Sequence, residues 1–198
     1  MRIYPVKFYI VLIGVCTFLV CCKKQLPVDE LEKYLINTEN GTKKSFESQN
    51  LKVDIIYRPT DLLVKQESAS GVKDIDAIRK NYNQYEYFVL NMKYNNADLL
   101  NSTASNKQLF MAINNQLAFN LNENIFIIDN NKDTCYLSDF AFPRLFEASK
   151  STSVLLAFKK EDIKTNKFKI CLNDLVNIAG SMIFEFDKKD LENIPSLK

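Results

Sequence analysis

The first two dozen residues limit most what this chain can fold into. Arg2 and Lys7 are followed by a run without a charge, Phe8 to Val20, and Lys23 and Lys24 close it abruptly. At 1.5 Å per residue this run makes a helix about 20 Å long, against a hydrocarbon core of about 30 Å. It is short for a membrane span and has the length of the apolar region of a signal peptide. It is apolar on all sides, so it lacks the amphipathic stripe of a helix that packs on a domain. Residues 1–21 therefore read as an export leader and residues 22–27 as a linker. The fold has to come from residues 28–198.

An ordinary leader ends in small residues of the A-x-A kind. Here the end reads Leu19-Val20-Cys21-Cys22. This resembles the lipobox of bacterial lipoproteins, with a leucine three residues before the acylated cysteine and a small residue just before it. Read onto Cys22, Leu19 and Cys21 fill those places. Read onto Cys21, the bulkier Phe18 and Val20 fill them. Cys22 is the expected lipidation site and Cys21 the alternative. Cys21 departs from the usual Gly, Ala or Ser. A Cys-Cys pair followed by lysines, in an Asn-, Lys- and Ile-rich chain, is similar to lipoproteins of the Bacteroidota type. The resemblance implies a diacylglyceryl thioether and an amide-linked chain on Cys22. Two or more acyl chains hold a protein stably, where one holds marginally at ~0.8 kcal/mol per buried CH₂. Lys23, rather than Asp, points within that family to the outer membrane, with the periplasmic or surface face left open. The competing reading is an uncleaved N-terminal anchor with two palmitoylatable cysteines.

Composition removes several function classes. Loss of the leader takes Arg2 and Lys7 from the 26 basic residues and nothing from the 24 acidic ones, so the balance falls to zero. No basic stripe points to nucleic acid. Without histidine there is no Ser-His-Asp or Cys-His pair and no His-ligated metal. Gly41, Gly71 and Gly180 cannot write a dinucleotide or phosphate loop. No cofactor is expected. The absence of tryptophan weakens a carbohydrate-stacking reading without removing it.

The pattern after the linker is mixed. Pro27, Asp29 and Glu30 open a helix with an apolar stripe at Val28, Leu31, Tyr34 and Leu35. Leu51, Val53, Ile55 and Tyr57 alternate with polar residues as a strand. Thr60 starts a short helix to about Glu67, and Val72, Ile75, Ile78 and Tyr82 mark another. Residues 85–94 read as a central strand. Short strands are then expected at about 108–113, 116–119, 124–128, 134–137, 154–159, 167–172 and 181–187, separated by Asn- and Asp-rich turns. The expected fold class is α+β to mainly β: a helical or mixed subregion over 28–83 and an antiparallel β-sandwich over 84–198. FIIDNNKDTCYLSDFAF at 126–142 and GSMIFEFDKKDLENIP at 180–195 loosely resemble immunoglobulin-like domains of bacterial surface lipoproteins.

Few constellations carry chemistry. Asp129, Asn131 and Asp133 match positions 1, 3 and 5 of a calcium loop, but Thr134 and Phe140 stand where Gly and Glu are required. A polar hairpin turn is the better reading. Cys135 and Cys171 are a candidate disulfide, since export permits one. Against it, Cys171 alternates with Lys167 and Lys169, away from Phe168, Ile170 and Leu172. Asp61 with Arg58 and Glu67, and Asp174 with Lys189 and Asp190, offer carboxylates without catalytic spacing. Tyr82, Tyr85, Tyr87 and Tyr94 fit packing better than ligand contact. The expectation is a non-enzymatic, lipid-anchored envelope module with an unidentified protein or glycan partner. The alternatives are a His-independent carboxylate hydrolase of envelope polysaccharide and an accessory subunit of a secretion or gliding apparatus.

Overall fold

A computed structural model describes residues 24–48, 50–71, 74–143, 150–174 and 180–198. Cys21 and Cys22 lie outside the described residues. In chain order the elements begin with β1 (Gln25–Leu26), α1 (Val28–Ile36), β2 (Lys43–Ser48) and β3 (Leu51–Tyr57). Next come α2 (Thr60–Ala69), α3 (Ile75–Tyr82), β4 (Tyr85–Tyr94), β5 (Ala97–Asp98) and α4 (Leu99–Thr103). The middle of the chain holds α5 (Lys107–Phe119), α6 (Leu121–Asn124), β6 (Ile125–Asp129), β7 (Thr134–Tyr136) and β8 (Asp139–Ala141). The last stretch holds β9 (Thr152–Lys159), β10 (Lys167–Leu172), β11 (Met182–Asp187), α7 (Lys188–Glu192) and β12 (Ser196–Leu197). The protein is α+β, built on antiparallel sheets.

One sheet runs β2-β3-β4-β9-β8, with β5 returning beside β4; the other runs β11-β10-β6-β7. Period-2 alternation sets which residues each sheet buries. In the first sheet Leu51, Val53, Ile55, Phe88, Leu90, Met92, Val154, Leu156 and Phe158 share one face, all almost wholly buried. In the second, Ile125, Ile127, Phe168, Ile170, Leu172, Phe184 and Phe186 do the same. Both faces and the helices α4–α6 belong to a single core. The rings of Phe88 and Phe186 meet at 5.2 Å, and those of Phe88 and Phe168 at 6.1 Å. β2 lies beside β11, and its Lys44 Nζ stands 5.7 Å from the centre of the Phe186 ring, a cation–π contact at the seam.

Two expectations change. Residues 108–113 and 116–119 are not two strands but parts of the single helix α5. Ile113 and Leu117 are fully buried, with Leu109 and Phe110 packed against the same core. That spacing of four belongs to a helix, and the Asn106 side chain caps it by accepting from Leu109 N at 3.1 Å. Asn114-Asn115 sits in the helix interior and makes no turn. The division at residue 84 crosses a sheet, because β3 pairs with β4 from Leu51–Tyr94 to Tyr57–Phe88.

Both ends of the described chain are tied together. β1 and β12 pair in parallel, with Ser196 N donating to Lys24 O at 3.0 Å and Lys198 N to Leu26 O at 2.9 Å. Leu26, Leu31, Leu35, Leu62 and Ile194 form a second, smaller core beneath them.

Gly41 has φ +74° at the turn into β2, and a Cβ there would run into the Asp190 carboxylate. Left-handed backbone alone costs a non-glycine residue about 1–2 kcal/mol. Gly41→Ala is therefore expected to lower stability by about 2 kcal/mol in urea unfolding. A change within the roughly 0.5 kcal/mol of an ordinary surface substitution would contradict this packing.

Candidate functional site

The candidate site is a cleft of about 430 Å³ between α1 and the outer face of the first sheet. Its volume lies in the range of small-molecule sites. One face of α1 turns Leu31 and Leu35 into the smaller core, so the adjacent face at Asp29, Glu32, Lys33 and Ile36 is left to form a wall. Ile56 and Val89, paired across β3 and β4, supply an apolar floor. Ile36 adds to it and is 54% exposed. Arg58 reaches across to Glu32 at 3.2 Å and joins sheet to helix. Such a surface pair contributes at most about 1 kcal/mol and can open for a ligand. Asp29 and Glu32 against Lys33 and Arg58 leave the rim balanced in charge.

Tyr57 also lines the cleft, and its hydroxyl donates to Glu86 Oε2 at 2.8 Å. Glu86 lies on the core side of β4, with its side chain 18% exposed and Lys160 Nζ 3.9 Å away. Burial raises the Glu86 carboxyl above the ordinary carboxylate value; Lys160, the Tyr57 hydroxyl and Lys188 work against that, and Glu192 adds to it. Burial, and then the charge of Glu86, pushes the Tyr57 hydroxyl far above its usual value, so it remains a donor.

Other residues singled out in the sequence are dispersed. Asp61 pairs with Arg79, Glu67 accepts from the Tyr82 hydroxyl at 2.9 Å, and Arg58 is with Glu32. Asp174 Oδ1 accepts from Gly180 N at 3.2 Å, while Asp190 lies against Gly41. Tyr82 and Tyr85 pack on Tyr87 with ring centres 5.6 and 6.1 Å apart, over Leu63 and Ala157. Tyr94 packs at the edge of the main core. Asp129 Oδ1 accepts from Asn131 N and Asp133 N at 2.9 and 3.1 Å, which makes the 129–134 segment an Asx-type hairpin turn between β6 and β7. Asp133 is paired with Lys164 at 2.9 Å. Among the described residues no three His, Cys, Asp or Glu side chains gather as a metal site.

Cys135 and Cys171 are both free thiols. Cys135 shares a cross-strand row with Ile127 and Ile170 on the inner face, whereas Cys171 pairs with Phe126 and Ile183 on the outer one. They stand on opposite faces and two strands apart, roughly 9–10 Å at the usual strand spacing. A disulfide needs Cα atoms within about 7 Å, so this register does not bring the pair together. The sequence placed Cys171 on a polar face; it is on the outer face as expected, yet only 8% exposed. Burial pushes the Cys135 thiol up to about 11, with Asp162 adding to it. Burial also raises Cys171, against the pull of Lys169. Thiolate is the reactive form. Alkylation near pH 8, read by peptide mass spectrometry, is expected to be slow at both sites in the native protein and complete in denaturant. A Cys135–Cys171 disulfide peptide would contradict the register.

The chain matches no protein-family model, and no curated protein or solved structure matches it. Among the described residues, no helix is long and apolar enough to cross a membrane.

Proposed function

We propose that this chain is a lipid-anchored binding module of the bacterial cell envelope, held by acyl chains on Cys22 and working close to the bilayer. The β1–β12 pairing carries the reading. Lys24 is already hydrogen-bonded to Ser196, so only Lys23 separates Cys22 from the folded domain. At about 3.5 Å per extended residue, the domain then begins within roughly 10 Å of the acylated residue. Lys23 and Lys24 would sit at the headgroups, where each basic residue contributes about 1 kcal/mol toward an anionic surface. The α1 cleft follows directly in the chain, which supports capture of a ligand near the membrane. The contact of Phe88 with Phe168 and Phe186 supports reading the two sheets as a sandwich that carries this cleft.

Metabolic labelling with an alkyne fatty acid and detergent-phase partitioning test the anchor. Both are expected to survive Cys21→Ser and to vanish in Cys22→Ser. Loss only in Cys21→Ser would move the anchor by one residue, and retention in both single variants would sink it.

One observation favours a second reading, a carboxylate hydrolase of envelope polysaccharide. Tyr57 lines the cleft and donates to Glu86, whose carboxyl is displaced toward its protonated form. Release of reducing ends from isolated envelope polysaccharide, abolished by Glu86→Gln, would replace binding with catalysis.

A further inference from the structure

The α1 cleft is apolar along its floor and charged at one end, and that polarity selects a class of ligand. Asn91 lies across from Asp54, four residues along the chain from Arg58. At about 3.3 Å per residue, the trough between Arg58 and Asn91 is roughly 13 Å long. Ile56 and Val89 form its middle, and Ile36 lines it from α1, one turn after Glu32. Two of its polar groups are engaged from within. The Tyr57 hydroxyl donates to Glu86 at 2.8 Å, and Asn91 Oδ1 accepts from the Ser153 hydroxyl at 2.6 Å. Along the trough a ligand therefore gains by moving apolar surface out of water, in proportion to its area, more than by directed hydrogen bonds.

The end at Arg58 is different. Its backbone N–H donates to Tyr87 O at 2.8 Å, which holds the residue against the sheet. Its side chain is 24% exposed, whereas that of its partner Glu32 is 50% exposed. Glu32 can turn to water while Arg58 stays at the trough. The lining then sets Lys33 and Arg58 against Asp29, one positive charge in excess. The guanidinium is a planar fork that a carboxylate can take with both oxygens. A single carboxylate on the ligand restores the balance, and an unbranched apolar chain fills the rest of the trough.

We infer that the α1 cleft binds a medium-chain fatty acid, with the carboxylate on Arg58 in place of Glu32 and the chain lying along Ile56 and Val89 against Ile36. The inference rests on the α1 cleft being the ligand site and is independent of the anchor.

Photolabelling of the full-length protein in CHAPS, a detergent without an alkyl tail, tests this. The probe is a laurate analogue carrying a diazirine on its chain, and peptide mass spectrometry maps the adducts. Adducts are expected on the peptides that hold Ile36, Ile56 and Val89, in the parent and in Cys22→Ser alike. Laurate up to about 1 mM, the range of a modest single site, should compete them away. Dodecanol, which lacks the carboxylate, should compete at least about fivefold more weakly, within the worth of one charge-assisted hydrogen bond. Arg58→Gln is expected to erase that difference, and Glu32→Gln to strengthen laurate binding. Circular dichroism confirms that both variants are folded; the dodecanol comparison needs no variant. Adducts that laurate does not displace, or that fall outside the cleft, overturn the proposal and leave the acyl anchor untouched. Equal competition by dodecanol in the parent overturns the fatty acid while keeping the cleft as an apolar site.

Discussion

Phe88→Ala is expected to remove about 3–5 kcal/mol of stability, the range for deleting a fully buried aromatic ring. Phe88 is 0% exposed. Its ring makes edge contacts with Tyr57 at 5.5 Å, Phe158 at 6.2 Å, Phe168 at 6.1 Å and Phe186 at 5.2 Å. Two of these partners belong to its own sheet's core face and its neighbour β3, and two come from the other sheet. Removing the ring therefore opens a void where residues of the two sheets meet, and the neighbours can collapse into it only by moving the strands that carry them. A domain has about 5–15 kcal/mol in all, so the variant should be marginal. Urea unfolding followed by circular dichroism measures the change, with the exposed Phe119→Ala as the reference expected to shift by less than about 0.5 kcal/mol. A loss below about 1.5 kcal/mol would mean that the two sheets do not share this core.

The alternating strands were legible because a single face decides their pattern. Leu51-Val53-Ile55 in β3 and Met182-Phe184-Phe186 in β11 read correctly for that reason. β2 was missed because KKSFES is an edge strand whose residues are only half-buried or exposed, so it has no alternation strong enough to see. α5 was misread because Asn114-Asn115 looks like a turn when taken alone; the spacing Leu109, Ile113, Leu117 was the signal that outweighs it. Long-range pairing was not legible at all, and with it went the α1 cleft, which exists only where a helix from residues 28–36 meets β3 and β4. The same holds for the two thiols. Alternation placed Cys171 on the outer face, but its burial depends on what surrounds it. Glu86 carried a readable signal. It stands two residues before Phe88 on the alternation that buries Leu90 and Met92, which places a carboxylate in line with the core.

That carboxylate gives the other large effect, and its sign follows from the fold. Because burial raises the Glu86 carboxyl, the native state holds the Glu86 proton more tightly than the unfolded chain does. Stability from this group then falls as pH rises from the ordinary carboxylate value through the raised one, and the cost is fully present above it. The Tyr57 hydroxyl limits that cost by donating to the ionised form. Tyr57→Phe is expected to cost about 1–3 kcal/mol near pH 7, the worth of a donor lost by a buried charged acceptor. The loss should shrink toward about pH 4, where protonation relieves the orphaned oxygen. Glu86→Gln keeps an acceptor for Tyr57 and removes the charge, and Lys160, 39% exposed, turns to water. This variant is expected to be at least as stable as the parent near pH 7, with a flatter pH profile. In its background Tyr57→Phe should cost less than it does alone. Unfolding titrations of the four proteins at both pH values give the coupling directly. A Tyr57→Phe loss that is the same at both pH values and in both backgrounds would mean that the hydroxyl matters only as packing and that Glu86 does not feel it.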